Sequence, residues 1–249
     1  MKLLQNHRSV RSYISDEINE EVLNEILLSG IRASNTGNMQ LYSVVVTKDI
    51  HKKKLLAPLH FNQPMVNQAP VLLTICFDIN RFYTWCSARN TETEFKNLLW
   101  LLNGTIDASI LAQNICVAAE ILGLGICYLG TTLYNAPEIS SVLKLPVGVI
   151  PITALTLGYP DVIPELSDRL PLEAVVHYEE YNDYNESLID VIYKDKEELE
   201  TSKRFVTENS KENLAQVYTE VRYKKADSKF FTKKLSKFLV DQGFRLSDL

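Results

Sequence analysis

Residues 94–123, EFKNLLWLLNGTIDASILAQNICVAAEILG, carry the longest helical period in the chain. Leu98, Leu99, Leu101, Leu102, Ile106, Ile110, Leu111, Ile115, Val117, Ile121 and Leu122 cover most of the circumference of that helix. A helix that is apolar nearly all round must be buried on nearly all sides, so this one is expected to run through the centre of the molecule. Composition leaves open whether a large monomeric core or a second chain covers it. Gly123-Leu124-Gly125 stops the helix, and Ile126 to Leu129 reads as a short strand leading into Gly130-Thr131-Thr132.

Working outward, Ser15 to Asn19 offers capping groups, and Val22, Leu23, Ile26, Leu27 and Ile31 then recur at helical spacing, predicting an amphipathic helix over 20–32. It runs out in Ala33-Ser34-Asn35-Thr36-Gly37-Asn38, small hydrogen-bonding residues that favour turns. Leu41–Thr47 and Pro70–Phe77 read as strands buried on two faces. Between them lie a short helix near 52–57 and a polar turn at Asn62-Gln63-Pro64. Beyond the glycine-rich stretch, 136–143 is expected to be a short helix and 149–157 a strand ending at Gly158-Tyr159-Pro160. Helices and strands alternate without clean βαβ repeats and without a G-x-G-x-x-G motif, which disfavours a Rossmann domain.

From Asp183 onward the pattern predicts three helices with polar junctions. Residues 183–200 carry seven acidic and two basic side chains, and residues 201–237 carry ten basic and four acidic ones, the common signature of solvated helix faces. Phe231, Leu235, Phe238 and Leu239 form one stripe that stops at Gly243, so the last helix is expected to dock on the main body. The division implied is a core over 1–182 and a helical extension over 183–249.

A chain of 249 residues with 46% hydrophobic and 23% charged side chains can bury one sizeable core. Its net charge of −5 argues against a general nucleic-acid binder, which needs a basic face. No stretch approaches the ~20 apolar residues of a membrane span, and the N-terminus lacks the apolar run of a signal peptide; a cytoplasmic location is expected. The four cysteines fit no zinc or redox spacing, and Cys76 and Cys116 read as core thiols. His7, His51, His60 and His177 are scattered, with no neighbouring carboxylate in the sequence, so no metal site is expected.

His7-Arg8-Ser9-Val10-Arg11 places two guanidinium groups, an imidazole and a hydroxyl in one short turn, a composition suited to a phosphate because each arginine offers a planar fork of donors. Taken with RASNTGNMQ at 32–40, Gln63, GLGICYLG at 123–130, LGYP at 157–160 and DRLP at 168–171, in that order and spacing, the sequence resembles the FMN-dependent nitroreductase family. Within it, the oxygen-insensitive NADPH nitroreductases and NADPH-flavin oxidoreductases are the most similar branch. The resemblance fades after about Tyr184.

The resemblance implies an α+β fold with a central mixed sheet wrapped by helices, and a homodimer with FMN at the subunit interface. It assigns His7, Arg8, Ser9 and Arg11 to the ribityl phosphate and the pyrimidine edge, and Asn35 to a position usually held by a small hydroxylic residue. Gln63 would bond the partner's cofactor, while Tyr128, Leu129, Gly130 and Thr131 would lie along the ring. Arg169 matches a second phosphate arginine, and Ser167 stands where the family has a lysine nearby. Lys203, Arg204 and Lys211 are the residues offered for an adenosine 2′-phosphate, leaving NADPH or NADH as donor. The implied activity is ping-pong hydride transfer from NAD(P)H to nitroaromatics, quinones or similar small acceptors, with no protein side chain as nucleophile or base. A flavin reductase supplying reduced FMN and a non-catalytic flavin sensor are the alternatives.

Overall fold

In the computed structural model, which describes residues 1–246, the chain forms two compact units. One comprises residues 1–165 together with the C-terminal stretch from 233 onward, the other residues 166–232. The first contains α1 (Lys2–Gln5), α2 (Glu20–Ile31), β1 (Tyr42–Thr47), α3 (Ile50–Leu56), α4 (Met65–Gln68), β2 (Val71–Asp78), α5 (Asn80–Ser87), α6 (Leu98–Ile121), β3 (Gly125–Leu129), α7 (Ala136–Leu143) and β4 (Val149–Gly158). The apolar periods thus end within a few residues of their expected limits. The short helices α1 and α4, and α5, which no apolar period marks, were not anticipated.

The four strands pair in the order β1-β2-β4-β3. Every pairing is antiparallel, from Thr47 opposite Leu72 to Gly125 opposite Gly158. The sheet is therefore not mixed in the way expected: neighbouring strands all run in opposite directions, and the crossover through α6 sets β3 beside β4 instead of beside β2. Parallel pairing among the described residues is confined to the two isolated bridges Ser9–Ile126 and Asn97–Arg245. The register slips between Ile75 and Cys76, where Thr153 and Pro151 are the successive partners, a bulge that accommodates a proline lacking the N–H a regular ladder would use. β2 is buried along its whole length, as its unbroken apolar run requires. β1 is not, because it is an edge strand whose middle residues stay half-exposed.

α6 lies across this sheet on one face only. A Cβ on Gly104 would fall 2.0 Å from the Phe77 ring, so glycine is what lets the helix approach the strand so closely. Ala108, Leu111, Ala112, Ile115, Cys116 and Ala119 continue the buried face. The opposite face corrects the expectation of burial all round: Leu99, Leu102 and Ile106 are 63%, 53% and 54% exposed.

α11 (Lys225–Asp241) ends in the first unit, where Phe238 and Leu239 are buried. Phe244 beyond it packs against Phe77, ring centroids 5.8 Å apart, and Gln242 accepts from the Gly148 N–H at 2.9 Å. The last helix docks as its stripe implied. Where three helices were expected from 183 onward there are, besides α11, α8 (Glu186–Glu198), α9 (Glu200–Glu208) and α10 (Leu214–Gln216), the last running into a wide π-turn over Val217–Arg222. Leu199, with φ −57° and ψ 136°, is extended and breaks one acidic helical run into two. No helix among the described residues is long and apolar enough to cross a membrane.

Replacing Gly104 by Ala forces a methyl group into the Phe77 ring. Overpacking of this kind costs about 1–3 kcal/mol, so a G104A chain is expected to unfold at lower urea with an unchanged slope of free energy against denaturant.

Candidate functional site

The arginine turn is held by the sheet. Val10 N–H donates to the Ile126 carbonyl at 2.8 Å, which extends β3 by one bridged residue. Gly125 permits that approach, since a Cβ there would sit 2.6 Å from Val10. The Tyr13 hydroxyl donates to the Val10 carbonyl at 2.7 Å and, its proton spent, accepts from the Thr156 hydroxyl at 2.7 Å. Burial raises the Tyr13 phenol far above its ordinary range. With Val10 and Tyr13 facing inward, Arg11 points to solvent.

Both guanidinium groups are held by weak local contacts. Arg8 Nη1 donates to the Asn6 carbonyl at 3.0 Å, while its Nε is buried without a partner. Arg11 Nη1 reaches the Ser9 carbonyl at 3.4 Å, and its charge beside Cys127 opposes the burial that raises that thiol. Among the described residues the arginines in ion pairs are Arg204 and Arg245, not these two.

His7 is anchored to α6. Its Nδ1 lies 2.6 Å from Glu120 Oε1 and 3.9 Å from Cys116 Sγ. The scattered histidines therefore do acquire a neighbouring carboxylate, but in space and not along the chain. The three donor atoms fall within 4.8 Å of one another. Burial and the Glu120 charge push the Cys116 thiol up to about 12, so at neutral pH a protonated thiol lies beside the hydrogen-bonded His7 and Glu120 side chains.

The polar loop is anchored to the same helix. Thr36 donates its N–H and its hydroxyl to Asp107, at 2.9 and 3.0 Å, and Asp107 is almost wholly buried. Asn35 is thereby held extended, its side-chain oxygen accepting from Gln40 N–H at 3.1 Å. Asp107 and Glu120 stand thirteen residues apart on α6, or about 20 Å at the helical rise. Asn35 and the arginine turn consequently cannot grip one phosphate. They suit the two ends of an elongated ligand.

Tyr128 to Thr131 lie at the end of β3. Tyr128 donates to Gln113 at 3.3 Å and Leu129 is buried. Gly130 is exposed, and an added Cβ would meet no protein atom within 4 Å. Thr131 is tied to His60, whose Nδ1 sits 2.9 Å from the Thr131 hydroxyl. His60 in turn accepts through its carbonyl from the Gln63 side chain at 3.1 Å. Arginine turn, strand end and Gln63 segment therefore form one connected group.

Ser167 and Arg169 belong to the second unit. Arg169 Nη1 donates to the Ser167 hydroxyl at 3.0 Å and to the Asp168 carbonyl at 2.8 Å. Arg169 lines a cavity of about 620 Å³ with Leu170, Tyr193, Leu214 and Tyr218. Of the cations offered for a 2′-phosphate, Lys203 pairs with Glu200, Arg204 with Glu208 and Lys211 with Glu220. Arg222, not anticipated, lies 4.5 Å over the Phe205 ring.

Two arginines without carboxylate partners, an orphaned buried guanidinium N–H and open space at Gly130 fit a phosphorylated planar ligand such as FMN. Fold and site together define an α+β protein built to hold an anionic organic group against a sheet edge. The chain belongs to the nitroreductase family, whose model matches residues 4–82 and 57–159. It is 32% identical over 184 residues to an FMN reductase (NADPH) of Bacillus subtilis, covering 73% of this chain and 74% of that one. Identity is likewise 32% over 189 residues with the oxygen-insensitive NADPH nitroreductase of Salmonella typhimurium, covering 76% and 77%. A crystal structure from Bacteroides fragilis, provisionally described as an oxidoreductase, superposes with a TM-score of 0.96 at 48% identity over 98% of this chain and 99% of that one.

The fully buried His60 gives this group a pH signature. Burial lowers its pKa from 6.5 to about 4, so the unfolded chain binds one more proton between those values. Stability is then complete above about 6.5 and falls as pH drops towards 4, by about 3 kcal/mol in all. Urea titrations of H60N at pH 4.5 and 7.5 are expected to show a smaller difference in stability than wild type does.

Proposed function

We propose that this chain is an FMN-dependent NAD(P)H oxidoreductase that reduces nitroaromatics, quinones or free flavin. Bound FMN supplies the two-electron chemistry, accepting hydride from NADPH or NADH and passing it to the acceptor. Arg8 and Arg11 bind the phosphate, with Ser9 and His7 completing the turn. Glu120 accepts from His7 Nδ1 and so fixes the imidazole in one orientation. Asn35 holds the far end, Tyr128, Leu129, Gly130 and Thr131 give the ring its floor, and Gln63 reaches the cofactor of a second subunit.

The buried, unpaired Nε of Arg8 carries this reading. Leaving a charged donor unsatisfied costs more than the 1–3 kcal/mol of a neutral group, and a phosphate oxygen removes that cost. The purified protein is expected to be yellow, to bleach anaerobically with NADPH and to recolour with a quinone. Turnover with free FMN against a nitro compound separates the flavin-supplying role from the nitroreductase role. FMN binding without NAD(P)H oxidation would identify a sensor.

The exposed stripe Leu99, Leu102, Ile106 on α6 supports a homodimer in which the same helix of a second copy covers it. L102D/I106D is expected to run as a monomer by analytical ultracentrifugation and to lose FMN, because the dimer completes the site through Gln63. R11A is expected to keep its circular dichroism while FMN affinity falls about tenfold to a hundredfold, the worth of one charge-assisted hydrogen bond. Unchanged affinity by flavin fluorescence would show that Arg11 does not hold the phosphate.

A further inference from the structure

We propose that His60 is a positioning residue that sets the direction of the hydrogen bond at Thr131 and leaves the Thr131 hydroxyl proton for the cofactor. This rests on the FMN reading above. His60 is 0% exposed. Its Nδ1 lies 2.9 Å from Thr131 Oγ1, and its Nε2 is buried with no hydrogen-bond partner among the described residues.

Two neutral tautomers are available. With the proton on Nε2, a buried N–H would have no acceptor, an arrangement native interiors rarely tolerate. With the proton on Nδ1, the orphan is a lone pair, and Nδ1–H donates to Thr131. The second is the cheaper state. Thr131 then accepts from within, and its own proton must go outward, where Thr131 is only half-buried and the adjoining Gly130 leaves open space. A hydroxyl aimed there can donate to a ring nitrogen or carbonyl of a bound flavin.

The surrounding chain is built to hold His60 still. Asn135 Nδ2 donates to the Leu59 carbonyl at 2.7 Å, and the Phe61 and Tyr134 rings lie 6.2 Å apart. Phe61 and Asn62 are both left-handed, each at φ 54°, a conformation side-chain-bearing residues resist. That double turn brings Gln63 back to donate to the His60 carbonyl. The buried ring of His60 thus fixes Thr131, and its backbone carbonyl fixes the segment that carries Gln63.

Asparagine and glutamine separate this role from simple packing, because the Asn amide nitrogen can replace Nδ1 and the Gln amide nitrogen replaces Nε2. FMN affinity is measured by flavin fluorescence on the full-length chain as wild type, H60N, H60Q, T131V and H60Q/T131V, with folding checked by circular dichroism. H60N is expected within about threefold of wild type. H60Q and T131V should each weaken binding about tenfold and shift the visible flavin band alike, and the double variant should be no weaker than either single. H60Q binding as wild type, or losses that multiply in the double variant, would overturn the assignment while leaving the FMN reading intact. A wild-type chain that does not bind FMN overturns both.

Discussion

The hydrogen bond from Val10 N–H to the Ile126 carbonyl decides where every other part of the site can be. It turns the N-terminal segment into a cover for the open edge of β3, so an edge that would otherwise present unpaired backbone groups is capped by the cationic turn. Tyr13 reinforces it from below through Val10 and Thr156. Because Val10 must face the sheet, the arginine after it must face away. The direction of the Arg11 side chain is thus set by a packing requirement on its apolar neighbour.

α6 plays the second organising part. Its apolar face makes the core, yet the two polar side chains on it that matter most, Asp107 and Glu120, are the anchors of the Asn35 loop and of His7. Such partners are costly to bury unless paired, and here each is paired with a segment that would otherwise be a free loop. The helix that forms the hydrophobic centre also sets the distance between the Asn35 loop and the His7 turn.

Much of the fold could be read from the chain because its elements are strongly periodic: α6, α2 and β2 announce themselves by apolar spacing alone. The edge strand β1 misled because an apolar, β-branched run looks the same whether one face or two are covered. The arginine turn and the glycine-rich strand end were visible as motifs. Their supports were not, because Thr36–Asp107, His60–Thr131 and His7–Glu120 are separated by 71, 71 and 113 residues. Nothing local distinguishes a histidine in a short polar stretch from one buried under a cofactor loop. A lone aspartate inside an apolar helix, as in TIDASIL, is the one signal that could have pointed to a buried anchor.

The four cysteines are all buried and unbridged, and Cys76 and Cys116 are both pushed up to about 12 by burial and a nearby carboxylate. Nucleophilic sulfur is the thiolate, and at neutral pH only on the order of one in 10⁵ of these two groups is in that form. Peroxide, maleimides and electrophilic quinones therefore find little purchase on them. Burial beneath the sheet and helix faces keeps this sulfur chemically silent.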